Sequence, residues 1–321
     1  MVGGWELVCP KGHFSSEFKK PQSGNMEVRM NDRKNTEKRV GKYQLVQILG
    51  SGATASVYLA RKENAGELYA LKYSDSSELI RREAEILKRL KHTCFPRWIE
   101  DGKVGSGAWL AMEYIPGITL QQLIEQYPAG MPAQMALGIA MEVAAGLAYL
   151  HSCQPAYIYR DLKAANVMIT REGRARLVDL GAAVCLQEPG DEVCRAGTYG
   201  YSAPEQFWEG SRITLACDVY AMGKLLSFML SGQDPGKPPY DTMGYCCRHY
   251  GIGKEYKQLL DRCLQPDPQL RCPDATFLLR DLAALRTDKR RIWSKIGRNK
   301  GNKAPYRYIK CIWRSDYERI F

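Results

Sequence analysis

A short polar segment in the middle of the chain carries the strongest chemical signal in the sequence. Asp161 and Asn166 stand five residues apart, with Lys163 between them, and Asp179 follows in the triplet Asp-Leu-Gly. Phosphoryl transfer needs a carboxylate that orients the acceptor hydroxyl, oxygen ligands for divalent cations and a cation that neutralises developing charge. These residue types and spacings therefore indicate phosphoryl-transfer chemistry.

A turn near residue 50 has the composition of a phosphate-binding flap. Gly50 and Gly52 lie between two strand-like segments, 43–49 and 56–60. Glycine permits positive φ angles and lets backbone N–H groups approach a phosphate closely. A Walker loop or a dinucleotide-binding turn is followed by a helix, whereas a strand follows here, so the pattern favours a flap. A plain hairpin is the alternative.

One lysine and one glutamate are candidates for a desolvated ion pair. Lys72 lies within the apolar segment 68–73, and Glu83 falls on the apolar stripe of the next helix, between Leu79 and Leu87. A buried carboxylate without a partner is costly, so Glu83 needs a cation, and we expect Lys72 to supply it. Such a pair would hold the ammonium group against the phosphates of a ligand. A lysine on a solvated strand face is the alternative.

Hydrophobic periodicity divides the chain into a β-rich part and a helical part. Strands are predicted at 43–49, 56–60 and 68–73, and two more strands end at residues 112–114. Between them, Asp75 and Glu78 have the spacing of a capping box that would start a helix. After Gly117, helices are predicted at 118–126, 132–151, 215–231, 255–264 and 274–285. The expected fold class is α+β.

Taken together and in order, these motifs resemble those of the protein kinase family. The matching motifs are Gly50–Ala55, Ala70-Leu71-Lys72, Glu83, Arg160-Asp161 with Asn166, Asp179-Leu180-Gly181, Gly197–Glu205, Asp218 and Arg271. The resemblance covers about 240 residues. It implies a bilobal fold, in which a small antiparallel β-sheet lobe with one helix (helix C) precedes a larger, mainly α-helical lobe.

The resemblance also implies catalytic roles for individual residues. Asp161 would be the catalytic base, and Asn166 and Asp179 would be ligands of Mg²⁺, with Mn²⁺ as an alternative ion. The other catalytic residues implied are Lys72, which grips the phosphates, Glu83, which pairs with Lys72, Lys163, which stabilises the transferring phosphoryl group, and Thr198, which bridges Asp161 and Lys163. Asp218 would anchor the backbone of the catalytic loop, and Arg271 would pair with Glu205.

An ATP-binding site follows from the same resemblance. Met112 would gate the adenine pocket, and backbone groups of Glu113 and Ile115 would bind adenine. The full set of implied ATP-binding residues is Leu49, Gly50, Gly52, Val57, Ala70, Lys72, Met112, Glu113, Ile115 and Met168.

The segments 158–163 (Ile-Tyr-Arg-Asp-Leu-Lys) and 203–206 (Ala-Pro-Glu-Gln) are similar to bacterial members of the family, and two details are similar to serine/threonine kinases. Lys163 stands two residues after Asp161, and residues 197–205 read Gly-Thr-x-x-Tyr-x-Ala-Pro-Glu. The implied reaction is transfer of the γ-phosphoryl group of Mg-ATP to serine or threonine hydroxyls of proteins. Two alternatives are a pseudokinase scaffold, which is expected to lack a residue such as Lys72, and a small-molecule phosphotransferase, which generally lacks Ala-Pro-Glu.

The chain departs from the usual kinase pattern at two structural positions. Tyr159 stands where histidine is usual, and Leu180 where phenylalanine is usual. Both side chains keep their bulk, and we expect them to stack with Leu87 and Trp98. Glu83 follows Lys72 by only eleven residues, and this short spacing implies a shortened helix C.

The segment 182–197 contains no serine, threonine or tyrosine. Kinases with an arginine such as Arg160 often neutralise it with a phosphorylated residue in this segment. Here Glu188, Asp191 or Glu192 would take that role, and activity would not need phosphorylation of the segment. Solvated loop acids are the alternative.

The basic charge of the chain, a net +11, resides in its two ends. Lysine and arginine outnumber acidic residues 9 to 5 in residues 1–42 and 12 to 3 in 286–321, but stand at 25 to 27 in 43–285. We expect a basic N-terminal arm (1–42), a kinase domain (43–285, with lobes 43–116 and 117–285) and a basic, aromatic tail (286–321). An anionic membrane surface, nucleic acid, a partner protein or the domain itself are the open candidates for what the tail contacts.

Composition also predicts where the protein is found. Eleven cysteines at irregular spacings, and no apolar leader within the first thirty residues, indicate reduced thiols and a cytoplasmic location. The most apolar segment, 131–150, contains Gln134 and Glu142, so it is predicted to be a buried core helix rather than a membrane span. The partners that the resemblance implies are protein substrates.

Overall fold

The strands around Lys72 form one antiparallel sheet. In the computed structural model, residues 38–295 are described except 53, 64–65, 187–195, 209 and 240–252, with side chains as far as residue 285. The strands are β1 (Arg39–Val40), β2 (Tyr43–Ser51), β3 (Ser56–Lys62), β4 (Leu68–Ser74), β5 (Trp98–Val104) and β6 (Gly107–Glu113). Their order is β1-β2-β3-β4-β6-β5, and every neighbouring pair is antiparallel. The strands predicted in the β-rich part are confirmed.

Helix α1 (Ser77–Arg89) connects β4 to β5 and presents one apolar face to the protein interior. Ile80, Ala84 and Leu87 are buried at helical spacing, and Glu83 lies among them at 2% exposure. The apolar stripe in the sequence therefore does carry a buried carboxylate.

The capping box predicted at the start of this helix is wrong. The N-cap is Ser76, and its side chain makes no capping hydrogen bond. Asp75 instead accepts a hydrogen bond from the Tyr73 hydroxyl at 2.9 Å, and Glu78 pairs with Arg81 at 2.7 Å. Both carboxylates therefore accept bonds from other donors, and the chain bends at Asp75, between β4 and the N-cap.

The second half of the chain is mainly helical. Its elements are β7 (Gly117–Thr119), α2 (Leu120–Glu125), α3 (Ala133–Ser152), β8 (Tyr157–Ile158), β9 (Val167–Thr170), β10 (Ala175–Leu177), β11 (Val184–Cys185), α4 (Ala216–Ser231), α5 (Lys254–Cys263) and α6 (Ala275–Lys295). Two small sheets, β10-β9-β7 and β11-β8, hold the loops between α3 and α4. Helix α6 continues ten residues beyond its predicted end at residue 285.

Helices α3 and α4 form the centre of this half. Eleven residues of α3 are buried, and all sixteen residues of α4 are buried. Among the described residues, α3 is long and apolar enough to cross a membrane by length and composition alone, yet 56% of its apolar window is buried within the fold. The prediction of a buried core helix is confirmed, since α3 packs against α4, α6 and β10.

Helix α4 ends at its C-cap Gly232, where the backbone passes close to the backbone of Pro128. Gly232 has φ of +72°, and a Cβ at this position would lie 2.4 Å from the carbonyl oxygen of Pro128. Only glycine satisfies both the left-handed conformation and this close approach.

A buried ion pair joins the segment before α4 to the segment before α6. The Arg271 guanidinium donates to both carboxylate oxygens of Glu205, at 2.6 and 2.9 Å. Its other donors reach the carbonyl oxygens of Gln265, Pro266 and Ala216 at 2.7–3.2 Å. Both side chains are at most 5% exposed. Every donor direction of the guanidinium is used, so this pair fixes the position of both segments.

We predict that Glu205→Ala destabilises the protein by about 3–5 kcal/mol, because it leaves the Arg271 charge buried without its carboxylate partner. The measurement is the free energy of unfolding in urea. The control is Glu63→Ala, which removes an exposed ion pair with Arg39 and should cost less than about 1 kcal/mol. Equal costs for the two variants would contradict the assigned role.

Candidate active site

Three elements bring together the charged groups that the sequence placed far apart. Lys72 lies on β4, Glu83 on α1, and Asp179 in the loop after β10. The Lys72 ammonium donates to Glu83 Oε2 at 2.6 Å and to Asp179 Oδ1 at 2.7 Å. Glu83 also accepts the backbone N–H of Leu180 at 3.1 Å. One glutamate therefore positions both the lysine and the loop that carries Asp179.

Opposing effects set the pKa values of this triad. Burial by itself lowers the pKa of Lys72, but the attraction of Glu83 and Asp179 outweighs it, so the pKa is raised. Burial is the larger effect at Glu83 and raises its pKa despite the nearby lysine. Burial also acts to raise the pKa of Asp179, but the Lys72 charge outweighs it and the pKa is lowered. Lys72 is therefore a cation and Asp179 an anion at neutral pH.

A second cluster surrounds Asp161. Its Oδ1 accepts the Thr198 hydroxyl at 2.6 Å, and its Oδ2 accepts the Lys163 ammonium at 2.8 Å and the Asn166 side-chain amide at 3.1 Å. Lys163 also donates to the Thr198 hydroxyl oxygen at 2.9 Å. The Asp161 carboxylate is thus held from both sides in one orientation.

One backbone contact joins the two clusters. The N–H of Val178, directly before Asp179, donates to the carbonyl oxygen of Asn166 at 2.9 Å. The four residues expected to meet around one nucleotide, Lys72, Asp161, Asn166 and Asp179, are therefore linked by short contacts.

Asp218 on α4 holds the backbone directly before Asp161. Its Oδ1 accepts the N–H of Arg160 at 2.8 Å, and its Oδ2 accepts the N–H of Tyr159 at 2.8 Å. His151 on α3 contacts the same Oδ2 through Nε2 at 2.9 Å. Since His151 Nδ1 accepts the N–H of Ala275 at 3.1 Å, the ring proton lies on Nε2 and points at Asp218.

Two residues of the site adopt a left-handed backbone that non-glycine residues rarely adopt. The φ angles are +71° at Arg160 and +65° at Asp179. Such strain persists only where the surroundings over-determine the conformation. At Arg160 the N–H is held by Asp218, and the carbonyl oxygen accepts the Gln206 side-chain amide at 3.0 Å.

Comparison with known proteins decides the family of this chain. A model of the protein kinase domain matches residues 43–281.

The chain belongs to the protein kinase family.

Three relatives illustrate the range of similarity within the family. The serine/threonine-protein kinase PknD of Mycobacterium tuberculosis is 33% identical over 205 residues, which cover 61% of this chain and 30% of that protein. The serine/threonine-protein kinase pkn2 of Myxococcus xanthus is 32% identical over 215 residues, covering 62% and 25% respectively. A probable serine/threonine-protein kinase of Dictyostelium discoideum is 27% identical over 278 residues, covering 80% and 54%. The chain spans between a quarter and about half of the length of these curated relatives.

Membership in the kinase family confirms the predicted fold class. The six-stranded sheet with α1 is the small lobe, and the helical half is the larger lobe. In kinase terms α1 is helix C and has thirteen residues, and the expectation that it is shortened stays a prediction.

The residues implied for ATP binding come from both lobes. Ala70 and Met112 are cross-strand neighbours on β4 and β6, and Val57 pairs with Lys72 across β3 and β4. Ile115 follows β6 and is 5% exposed. In the larger lobe, Met168 lies on β9. The flap residues are more open, since Leu49, Gly50 and Gly52 are exposed on and after β2.

Three members of the predicted apolar stack are buried and one is not. Leu87, Tyr159 and Leu180 are each at most 2% exposed and belong to one core cluster. Trp98 is 36% exposed, so its assignment to the stack is wrong. Its indole N–H donates to Asp101 at 2.8 Å, and the Lys88 ammonium lies 4.9 Å from the ring centre. The indole N–H requires a polar partner, and here that partner is at the surface.

The tyrosine that replaces the usual histidine has its own bond in this site. The Tyr159 hydroxyl donates to the carbonyl oxygen of Val178. Burial raises the pKa of this hydroxyl, so it stays protonated and remains a donor. The substitution thus ties the catalytic loop to the residue before Asp179.

Sequence reasoning missed two residues that support the catalytic loop. His151 lies in the last turn of the apolar helix α3, and a lone histidine on an apolar face gave no sign of its partners. Gln206 directly follows Ala-Pro-Glu, and its amide donates to the carbonyl oxygens of Arg160 and Ala196 at 3.0 and 2.9 Å. The acids Glu188, Asp191 and Glu192, expected to neutralise Arg160, lie outside the described residues.

We predict that Asp218→Asn destabilises the protein by about 2–3 kcal/mol. Asparagine has one acceptor oxygen in place of two, so at least one of the buried donors from Tyr159, Arg160 and His151 loses its partner. Urea unfolding measures the loss, and amide hydrogen exchange at residues 159 and 160 should become faster.

The control for this prediction is Asp101→Asn, at a partly exposed carboxylate that contacts Lys88 and Trp98. It should cost less than about 1 kcal/mol and leave exchange at residues 159 and 160 unchanged. Unchanged exchange in Asp218→Asn would contradict the anchoring role.

Proposed function

We propose that this chain is an ATP-dependent protein serine/threonine kinase, which transfers the γ-phosphoryl group of Mg-ATP to serine and threonine hydroxyls of proteins. The observation that carries the proposal is the proximity of the Lys72–Glu83–Asp179 triad to the Asp161–Lys163 cluster, which a backbone hydrogen bond between neighbouring residues joins. Membership in the kinase family and the printed names of the relatives support it.

The donor set fits a magnesium ion that also binds phosphates. Asp179 presents a carboxylate that is 48% exposed, and Asn166 uses its amide nitrogen on Asp161, which leaves its amide oxygen available. Mg²⁺ prefers such hard oxygen ligands and completes its octahedron with phosphate and water oxygens. Within the described part of the chain no group of three or more His, Cys, Asp or Glu side chains could hold a metal. When bound, the metal would neutralise the phosphate oxygens.

The chain's own residues would position the reactants. Lys72, held by Glu83, would grip the phosphates, and the flap at Gly50 and Gly52 would cover them. Asp161 is oriented by Lys163 and Thr198, so its carboxylate would accept the hydrogen bond of the acceptor hydroxyl. Lys163 would stabilise the charge that develops on the transferring group.

The preference for serine and threonine rests on Thr198. Its hydroxyl lies 2.6 Å from Asp161 and 2.9 Å from Lys163, so it would limit the space beside the proposed catalytic base. A short aliphatic hydroxyl would fit a groove of this kind.

Partners and location remain predictions. Protein substrates follow from the family, whereas the tail at 286–321 lies outside the described side chains. A cytoplasmic location rests on composition alone. Activity without phosphorylation of the segment 182–197 rests on its lack of hydroxyl residues.

We predict that wild-type protein with Mg-ATP phosphorylates serine- and threonine-containing peptides. Asp161→Asn should lower kcat by about 10²–10⁴-fold, because the substrate hydroxyl loses its proton acceptor. Affinity for Mg-ADP should change by less than about twofold, since Asp161 is not assigned to nucleotide binding. The measurements are radiolabel transfer to a peptide panel and calorimetry with Mg-ADP.

A matched control is Asp261→Asn, an exposed carboxylate on α5, which should leave both activity and affinity unchanged. Nucleotide binding without transfer by wild-type protein would favour a scaffold. Transfer to small molecules but not to peptides would favour the phosphotransferase alternative.

A further inference from the structure

A cluster of charged groups lies behind the predicted adenine-binding segment and takes no part in the proposed chemistry. Arg176 on β10 donates to Glu113 at the end of β6, with Nη2 to Oε2 at 3.1 Å and Nη1 to Oε1 at 3.4 Å. The same Nη2 donates to the carbonyl oxygen of Phe95 at 2.8 Å. Glu113 and Phe95 belong to the small lobe and Arg176 to the larger lobe, so one guanidinium bridges the two lobes.

The Glu113 carboxylate is held from the small lobe as well. Its Oε2 accepts the backbone N–H of Arg97 at 3.1 Å, and the Glu113 N–H donates to the Arg97 carbonyl oxygen at 2.8 Å. Burial acts to raise the pKa of Glu113, but the bonds from Arg176 and Arg97 outweigh it and lower the pKa. The carboxylate is therefore charged at neutral pH, and its position is set by both lobes.

A backbone bond runs beside this ion pair. The N–H of Leu177, next to Arg176, donates to the carbonyl oxygen of Cys94 at 2.7 Å. Residues 94–97 connect α1 to β5, so β10 is fastened to the segment that follows the helix carrying Glu83. We call Glu113, Arg176 and residues 94–97 the rear clamp.

The rear clamp touches both ends of the proposed nucleotide site. Glu113 is the residue whose backbone is expected to contact adenine, and Arg176 pairs in register with Met168, an expected neighbour of the adenine ring. Asp179 follows Arg176 by three residues. A shift of β10 relative to β6 would therefore change the distance between the adenine contacts and the metal ligand.

Stability alone does not account for this ion pair. The side chains of Arg176 and Glu113 are 16% and 25% exposed, and Arg176 Nε is buried without a hydrogen-bond partner in the described part of the chain. An apolar residue of similar length would fill the space without desolvating a charge, and such replacements are often neutral or stabilising.

We propose that the rear clamp holds the two lobes at the separation that nucleotide binding requires, with Arg176 as a positioning residue. The structure contains the clamp together with the assembled Lys72–Glu83–Asp179 triad, so the two arrangements are compatible. Because the bonds of Arg176 to Glu113 and Phe95 tie the two lobes together at this separation, the clamp would favour the assembled cleft over more open ones. This inference rests on the proposed kinase function and adds a determinant of ATP affinity to it.

The expected kinetic signature is a change in KM for ATP without a matching change in kcat. For a ligand that binds only the assembled cleft, the apparent dissociation constant equals the intrinsic dissociation constant divided by the fraction of molecules in that state. Arg176→Met keeps a flexible, unbranched side chain and removes the guanidinium group with its charge. We expect the KM for ATP and the dissociation constant of Mg-ADP to rise about 5–10-fold, with kcat at saturating ATP within about twofold of wild type.

Three further variants sharpen the test. Glu113→Gln should raise the KM similarly, and combining it with Arg176→Met should add little, because both remove one interaction. Arg176→Lys should restore part of the affinity, since lysine can still pair with Glu113. The matched control is Arg174→Met, two residues away on the chain. The exposed Arg174 side chain pairs with Glu142 at 3.2 Å, and its replacement should leave the KM for ATP unchanged.

Each outcome decides for or against the clamp. If Arg176→Met lowers the melting temperature but leaves the KM for ATP unchanged, Arg176 has only a structural role. If the KM for ATP falls, the ion pair opposes the assembled cleft. Either result overturns the proposal. Mg-ADP calorimetry tests the clamp without relying on chemistry. If wild-type protein transfers phosphate while Arg176→Met matches it in KM and affinity, the clamp fails alone. If wild-type protein transfers none, the proposed function fails independently of the clamp.

Discussion

The contact between the Lys72 ammonium and the Glu83 carboxylate is the constraint on which the site depends. Glu83 is 2% exposed, so its charge requires a cation, and the 2.6 Å bond to Lys72 ties α1 to β4. The same carboxylate accepts the N–H of Leu180, which places Asp179 beside the lysine. A single buried charge therefore decides how the helix, the sheet and the loop that carries Asp179 meet.

The larger lobe provides a rigid support for this arrangement. Asp218, on a fully buried helix, accepts the two N–H groups before Asp161, and Arg271 uses all its donors to fix the segment at Glu205. The left-handed conformations at Arg160 and Asp179 are tolerated because buried partners hold their neighbours. Among the non-glycine residues that the structure describes, positive φ angles occur only in the two loops expected to touch the nucleotide and the substrate.

Departures from the usual kinase pattern are accommodated by local bonds. Tyr159 keeps the bulk expected at its position and adds a hydroxyl bond to Val178. Trp98, in contrast, was expected in the same stack and lies at the surface instead, because its indole N–H and the Lys88 charge have partners there. The size of the side chain predicted burial correctly for Leu87, Tyr159 and Leu180. The same criterion failed for Trp98, because its indole N–H has its hydrogen-bond partner at the surface.

The sequence by itself determined which residue types carry the chemistry and in what order, because phosphoryl transfer admits few substitutes for carboxylate, amide and lysine groups at these spacings. It also determined the elements with strong periodicity, such as α3 and the strands around Lys72. Only the tertiary structure decided the partners of three groups for which the resemblance implied none. His151 with Asp218, Gln206 with Arg160, and Arg176 with Glu113 lie 46–67 residues apart. Local patterns report the burial and helical register of a residue, whereas the pairing of distant donors and acceptors is set when separate segments of the chain pack together.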